Sequence, residues 1–319
     1  MKKGIFRICF FFIIVWALPV GACARVLIPV GQIIGLELGN NTVTVAALEE
    51  NSTAGTGGLQ VGDRIVKIDG CAVSSAQDVR RALESSDGAV DVVVQRSGKA
   101  VSMHLQPAIT EQGPRLGVYL RNGITGIGTV TFYDPQTGLF GTLGHGVNDD
   151  TGALLRLTGG KAYRASILSV RRGRAGEPGQ LMGALSDGEP VGTLDANTDR
   201  GVFGRLNMPV SGEAMEVGNA EDVKVGPATI RSTVNDSAVR EYSVEILKIY
   251  PKGRAGNRNM LLKVTDPALL EATGGIVQGM SGSPIIQDGK LVGAVTHVLV
   301  NDPTTGYGIF IENMLDAAA

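Results

Sequence analysis

Cysteine and histidine are scarce in this chain of 319 residues, which has three of each. Two cysteines, Cys9 and Cys23, lie in or beside the N-terminal segment, so the rest of the chain has neither a disulfide framework nor a cysteine cluster for a metal. The net charge of −2 gives no basic surface for nucleic acid. No metal-ligand spacing, paired carboxylates or phosphate loop stands out, so no cofactor is expected.

Long apolar runs are also missing. The longest, Ile8–Val20, is shorter than the roughly 20 residues that a membrane-spanning helix needs. It follows the basic "MKKGIFR" and precedes the small residues Ala22 and Ala24, an order typical of a signal peptide over residues 1–24. Cleavage, retention as a membrane anchor, and lipidation at Cys23 in the lipoprotein-like "VGAC" remain open. Each predicts that the rest of the chain is exported.

Glycine, by contrast, is abundant, with 45 residues. Many short apolar runs end at Gly, Asp-Gly or Asn-Asp turns, and no long run has a helical period, which predicts a mainly β protein. The length allows about two domains.

The first domain is predicted over residues 25–108. "RIVKI" (Arg64–Ile68) alternates like a half-buried strand, Ser75 caps a short helix, and a hairpin turns at Ser97-Gly98. This order of strand, short helix and hairpin resembles a PDZ domain of bacterial exported proteases. His104, on the last strand, is expected to be structural.

The PDZ resemblance implies a peptide-binding site. "GQIIGLEL" would match the carboxylate-binding loop, whose N–H groups receive the carboxyl terminus of a peptide that adds as a strand beside the helix. The alternative is that the stretch is an ordinary opening strand. The predicted peptide-binding residues are Gly31, Ile33, Ile34, Gly35 and Leu36.

The stretch "QGMSGSP" predicts a catalytic serine at Ser281. Serine attack on a carbonyl requires a base and backbone N–H groups facing the oxyanion. Gly279 and Ser281 are the predicted oxyanion-hole donors, and His145, in a glycine-flanked turn after a strand, is the predicted base. The alternatives are a turn serine and a loop histidine without function.

The same segments carry a second resemblance. "GMSGSP" resembles the serine loop of chymotrypsin-like proteases, which implies a double β-barrel over residues 113–319. "GIGTVTFYDPQTGLFGTLGH", "VTDPALLEATGGIVQGMSGSPII" and "AVTHVLVNDPTTGYGIFIENML" resemble the sporulation stage IV protein B (SpoIVB) serine peptidases. That family joins a targeting segment, a PDZ domain and a peptidase domain in this order.

The resemblance also implies the acid of the triad. Asp266 matches the family's assigned acid, and the alternative is that it caps a helix, since "DPALLEA" starts like one with Pro267 at its first position. By order alone Asp195, Asp199 and Asp236 are alternatives. Ser283 stands where the wider fold has glycine, and His297 is expected to pack or to line the pocket.

The SpoIVB resemblance implies a protease secreted from the forespore into the space between the two membranes around it. Such a protease cleaves itself and a membrane-protein inhibitor, which releases an intramembrane protease that activates the late mother-cell sigma factor. The alternatives are a general HtrA-type envelope protease and a non-catalytic PDZ adaptor. Protein substrates and peptide carboxyl termini are the expected partners.

Overall fold

The structure, a computed structural model, describes residues 25–111, 113–149, 152–186, 188–235, 238–254 and 257–319. The predicted targeting segment, residues 1–24, lies outside the described residues, and Cys9 and Cys23 lie outside them with it. Strands dominate the described part, which confirms the mainly β prediction. None of its helices is long and apolar enough to cross a membrane.

The first third of the chain contains the PDZ unit. Helix α2 begins at the predicted cap, where Ser75 Oγ accepts from Asp78 N–H, and it buries Val79 and Leu83 against the sheet. The predicted strand and hairpin are present as β3 and β5–β6. The elements are β1 (Val26–Pro29), β2 (Ile33–Leu48), α1 (Thr53–Thr56), β3 (Arg64–Ile68), β4 (Cys71–Ala72), α2 (Ala76–Glu84), β5 (Val90–Arg96), β6 (Lys99–Leu105), β7 (Ala108–Thr110) and β8 (Gly113–Arg115).

The next strands close a first six-stranded barrel. Going round, β2 pairs with β9, then β10, β14, β13 and β11 follow, and β11 pairs back onto β2. Leu36, Phe140 and Val202 are among the side chains that fill it. The bounds are β9 (Val118–Tyr133), β10 (Leu139–Thr142), β11 (Gly159–Arg171), β12 (Gln180–Leu185), β13 (Gly192–Thr198), β14 (Gly201–Leu206) and β15 (Met215–Glu216).

The predicted role of Gly31–Leu38 is wrong. This stretch begins strand β2 of the barrel, which pairs with β9 along one edge and with β11 along the other. Because both edges are occupied, no peptide can add there. All the predicted peptide-binding residues lie in or beside this barrel strand and do not bind a peptide there: Gly31, whose N–H donates to Val130 O, and the buried Ile33, Ile34, Gly35 and Leu36. The PDZ unit therefore does not include residues 26–38.

A second six-stranded barrel follows, closed in the order β16-β17-β18-β21-β20-β19. Its core contains Ile230, Val244, Leu262 and Ile285. The bounds are β16 (Gly226–Thr233), β17 (Val239–Arg254), β18 (Arg258–Val264), α3 (Pro267–Thr273), β19 (Pro284–Gln287), β20 (Lys290–Leu299), β21 (Asp302–Phe310) and α4 (Ile311–Ala318).

The two barrels share an apolar seam. Phe132 and Phe203 of the first barrel pack with Ile309 of the second and with Met314 of α4. These side chains are buried, so the barrels form one packed body, and residues of both barrels line a cleft between them. That cleft holds the candidate site.

Candidate active site

Ser281 lies on a tight turn that joins the segment after α3 to strand β19. Met280 is fully buried beneath it, and Ser283 N–H donates to Met280 O. Gly282 has a φ of +97°, and a Cβ on it would overlap the carbonyl oxygen of Thr129. The residue after the serine must therefore be glycine, for its backbone conformation and for space.

Two threonines of β9 hold this turn from the first barrel. Thr129 Oγ1 donates to Gly279 O at 2.8 Å, and Thr131 Oγ1 donates to Gly282 O at 2.8 Å. Thr129 N–H also donates to Ser281 O at 3.0 Å. With three carbonyls fixed toward β9, the orientation of the intervening peptide groups is set. The sequence reasoning missed both threonines, although their period-two spacing in "GTVTFYDP" puts them on one face of a strand.

The predicted oxyanion donors fit this arrangement. Met280 N–H donates to Val277 O, whereas the N–H groups of Gly279 and Ser281 have no acceptor among the described residues. Gly279 has a φ of +99°, which turns its peptide group away from the path of an ordinary strand. Two unpaired N–H groups beside a serine can receive a developing oxyanion.

His145 follows strand β10 through two residues in the left-handed region, Leu143 and Gly144. Its Nδ1 lies 2.9 Å from Gly146 O. When Nδ1 carries the proton and donates there, Nε2 is left as the base. Burial lowers the pKa of His145 below its ordinary value, although the hydrogen bond to Gly146 opposes this shift. The imidazole is therefore neutral near pH 7.

Asn197 of β13 fixes the chain just beyond the histidine. Its Oδ1 accepts from Val147 N–H at 2.9 Å, and its Nδ2 donates to Val147 O and Leu155 O, each at 2.8 Å. The amide thus ties Val147, two residues beyond His145, to Leu155 and to strand β13. Nothing in the local sequence signals this, because Asn197 is 50 residues from its partner.

Ser281 and His145 line one cavity of about 410 Å³ between the barrels. Ser281 Oγ donates to Thr296 O at 2.7 Å, so the hydroxyl must rotate before His145 can take its proton. Such rearrangement is ordinary in a site without substrate. His297 lines the cavity too, as expected, and the remaining walls are mainly apolar: Ile127, Leu143, Val147, Ile276, Val277 and Val298.

Asp266 makes no hydrogen bond to His145 in the described structure, and its predicted catalytic role stays a prediction. Its Oδ1 accepts from the N–H groups of Ala268 and Leu269 at 2.9 and 3.1 Å, and its Oδ2 accepts from Ser243 N–H at 3.3 Å. These bonds cap α3 and fasten it to β17, and Asp266 does not line the cavity. The helix-cap alternative accounts for the residue.

The other candidate acids of the triad are not hydrogen-bonded to His145 in the described structure either. Asp195 is exposed beside Arg205, and Asp199 Oδ2 accepts from Asn257 Nδ2 at 2.9 Å. Asp236 lies outside the described residues. No described carboxylate makes a hydrogen bond to His145. The third histidine, His104, contacts Asp91 on the PDZ surface at 2.8 Å.

The PDZ unit has a groove, but it does not lie at the predicted peptide-binding stretch. It lies between α2 and residues 114–120, has a volume of about 300 Å³, and is walled by Val79, Leu83 and Leu116. Residues 118–122 of β9 pair with β2 along one edge, and in the described structure their other edge is unpaired. A peptide can therefore add here as a strand.

Two sequence models match separate parts of the chain. The sequence model described as "SpoIVB peptidase S55" matches residues 112–315, and that of the PDZ domain matches residues 44–96. A protein of Agrobacterium fabrum named "Putative zinc metalloprotease" is 41% identical over 86 residues, which is 27% of this chain and 23% of that protein. One of the same name in Rhizobium meliloti is 34% identical over 86 residues, with the same shares.

The chain thus spans about a quarter of these relatives' length. Among the residues that the structure describes, no group of three His, Cys, Asp or Glu side chains could hold a metal ion.

Two solved structures are similar in part. The PDZ domain of the SdrC-like protein from Listeria monocytogenes is 26% identical, with a TM-score of 0.23, and the match covers 25% of this chain and 87% of that one. The active form of the Rv3671c protease from M. tuberculosis is 14% identical, with a TM-score of 0.37, over 60% of this chain and 72% of that one.

Proposed function

The chain belongs to the SpoIVB peptidase S55 family and is a serine peptidase, and we propose that it is an exported endopeptidase of endospore formation. In this proposal it first cleaves itself and then cleaves a membrane-bound inhibitor of an intramembrane protease. Loss of the inhibitor allows the intramembrane protease to process the precursor of the late mother-cell sigma factor. The observation that carries the peptidase chemistry is the Ser281 turn, where the N–H groups of Gly279 and Ser281 are unpaired and His145 lines the same cavity.

The reaction is an acyl transfer through Ser281. Its Oγ turns from Thr296 O, attacks the substrate carbonyl carbon, and gives its proton to Nε2 of His145. The N–H groups of Gly279 and Ser281 receive the oxyanion. As the C–N bond breaks, His145 returns the proton to the leaving amine, and water then hydrolyses the acyl-enzyme by the same steps.

The cavity walls favour an apolar substrate side chain. Ile276, Val277 and Val298 are among the apolar residues beside Ser281, and the described cavity lining has no carboxylate that could pair with a basic side chain. Transfer of an apolar side chain out of water is favourable, whereas burying an unpaired charge is costly. We infer that the scissile bond follows an apolar residue.

The PDZ groove is proposed to hold the carboxyl terminus of a partner, either the substrate or the cleaved chain itself. The free edge of β9 supports the proposal, because it offers unpaired backbone groups beside the groove. The basic, apolar N-terminal segment supports export to the space between the forespore and mother-cell membranes, by secretion or through a retained anchor or lipid.

Self-cleavage tests the proposed function directly. The full chain and its Ser281→Ala variant are expressed in parallel, and their fragments are identified by mass spectrometry. We expect N-terminal cleavage products after apolar residues in the wild type and none in the variant. Identical fragments in both proteins would overturn the proposal. Cleavage of an unfolded protein such as casein at many sites would instead favour a general envelope protease.

A further inference from the structure

Strand β12, the second strand of the β11–β12 hairpin (residues 159–185), pairs with the backbone just before Ser281. Gln278 N–H donates to Gly179 O at 2.9 Å, and Leu181 N–H donates to Gln278 O at 2.8 Å. Both polar backbone groups of Gln278 are therefore bonded to β12 or to the residue before it. Along its other edge β12 pairs with β11, so the hairpin joins the first barrel to the segment that carries the nucleophile.

This pairing fixes the direction of one oxyanion-hole donor. The carbonyl of Gln278 and the N–H of Gly279 belong to the same peptide group, which is planar and trans, so the two point in opposite directions. Because the carbonyl points at Leu181 N–H, the N–H of Gly279 points away from β12. Gly279 lines the cavity of Ser281, and its N–H has no acceptor among the described residues. A half-turn of this peptide group would put a carbonyl oxygen in the place of the donor.

The next two peptide groups of the turn are held without β12. Gly279 O accepts from Thr129 Oγ1 at 2.8 Å, which holds the peptide group between Gly279 and Met280. Met280 O accepts from Ser283 N–H at 3.0 Å, which directs the N–H of Ser281 the opposite way. The Ser281 donor is thus set by the turn itself, whereas the Gly279 donor depends on the hairpin.

Further contacts fasten the hairpin to the second barrel. Gly173 N–H, near the hairpin tip, donates to Thr273 O at the end of α3 at 2.8 Å. The side chain of Leu181 is buried in the core of the second barrel, in one cluster with Val277. A Cβ on Gly179 would overlap Gly173 N and would lie 2.6 Å from Val277 Cγ1. The hairpin therefore packs on the serine segment with no space for a larger residue at this crossing.

We propose that the β11–β12 hairpin is the positioning element of the oxyanion hole and that Leu181 is its central positioning residue. Its N–H holds the Gln278 carbonyl, its side chain packs against Gly279, and the N–H of Gly279 stays available to the oxyanion. Leu181 touches no reacting atom and acts through this peptide group, and the inference rests on the proposed peptidase function. Deleting one oxyanion-hole donor costs about 10²–10³-fold in turnover, so a donor that is misdirected should cost about 10- to 100-fold.

The test compares two substitutions at Leu181 by the rate at which a fluorophosphonate probe labels Ser281 in the full chain. Leu181→Ala removes most of the side chain and keeps the N–H, whereas Leu181→Pro removes the N–H as well. That N–H is bonded to Gln278, so proline there takes no hydrogen bond from the pairing with β11. We expect Leu181→Pro to lower the maximal labelling rate about 10- to 100-fold below that of Leu181→Ala, at nearly unchanged probe affinity.

A thiol in place of the nucleophile distinguishes positioning from folding. In Ser281→Cys, iodoacetamide alkylates the thiolate with loss of iodide, and no oxyanion forms. The alkylation rate is read at position 281 by mass spectrometry of the peptide that contains it. We expect Leu181→Pro, added to Ser281→Cys, to leave this rate nearly unchanged, because the nucleophile and His145 keep their places.

The outcomes separate this inference from the proposed function. Wild type that labels no faster than Ser281→Ala would overturn both. Labelled wild type with Leu181→Ala and Leu181→Pro equally fast, or with alkylation slowed as much as labelling, would overturn the positioning role alone. If Leu181→Pro does not reach the melting temperature of Leu181→Ala, Gly179→Ala is compared with Gly188→Ala, at a loop glycine where a Cβ meets no atom within 4 Å. Equal labelling rates of these two would overturn the positioning role.

Discussion

Ser281 and Ser283 stand two residues apart on one turn, yet their surroundings differ. Ser281 faces the cavity, whereas Ser283 is fully buried and its hydroxyl has no partner in the described structure. We expect Ser281→Ala to lose all fluorophosphonate labelling while its stability changes by no more than about 0.5–1.5 kcal/mol, the range for one hydrogen bond. Gel fluorescence and thermal unfolding measure the two quantities.

Ser283→Ala is the matched control for that experiment. It removes an unsatisfied buried hydroxyl, a change that is close to neutral or stabilising, and labelling should persist. Labelling that survives Ser281→Ala and disappears in Ser283→Ala would transfer the nucleophile to Ser283.

His297 also gives the folded protein a pH dependence with a definite sign. Its pKa is lowered to about 4 in the folded chain, and in the unfolded chain it titrates near its ordinary 6.5. Between these values the unfolded state binds more protons, so the free energy of unfolding falls as the pH is lowered through this window and is fully retained above it. His145 contributes with the same sign.

Urea unfolding of wild type and His297→Phe at several pH values across the window checks this. We expect the variant to lose stability less steeply toward acid pH, because the contribution of His297 is absent while that of His145 and the carboxylates remains. Parallel profiles would show that His297 is not held neutral by the fold.

At the scale of elements, helix α3 shows what Asp266 does. Its carboxylate caps two N–H groups, and Asn caps about as well as Asp. We expect Asp266→Asn to keep the labelling rate and the helix cap and to lose only the 3.3 Å bond from Ser243 N–H, which an amide nitrogen cannot accept. Asp266→Ala should cost about 1 kcal/mol in stability with the labelling rate unchanged. A stable Asp266→Asn variant with a large loss of labelling would return the residue to the catalytic machinery.

Local elements could be predicted from the sequence because their signals are local. The hairpin at Ser97-Gly98, the Ser75 cap and the α3 start at Pro267 each depend on residues a few positions apart. The strands that pair with "GQIIGLEL" could not be predicted. An apolar strand has the same sequence pattern whether it belongs to the PDZ sheet or to the barrel, and its neighbours β9 and β11 are about 90 and 125 residues away along the chain. For the same reason Ser281 and His145 could be singled out one by one, but not the threonines and Asn197 that hold their turns.

At the scale of the whole molecule, the PDZ groove gives a binding prediction. A peptide with a free terminal carboxylate should bind more tightly than its amide, since the free edge of β9 offers backbone N–H groups. Titration calorimetry with acid and amide forms measures this. Tyr119 lines the groove and is 60% exposed, so Tyr119→Ala should weaken binding, whereas Ile109→Ala, 82% exposed outside the groove, should not. Equal affinity of acid and amide would contradict carboxylate recognition.

The course of β2 and β9 makes the PDZ unit an insertion into the hairpin of another domain. Leu38 and Ile124 are paired neighbours in the first barrel. The chain between them leaves the barrel after Leu38, forms the PDZ unit, and re-enters the barrel at Ile124. The barrel is therefore discontinuous in sequence and cannot close until the inserted unit has been synthesised. No single cut can separate the two folds, and a chain that starts at Gly113 lacks the strand that closes the barrel. We expect that truncation to be insoluble, whereas joining Leu38 to Ile124 through an Asn-Gly turn should give a folded peptidase that still labels with fluorophosphonate.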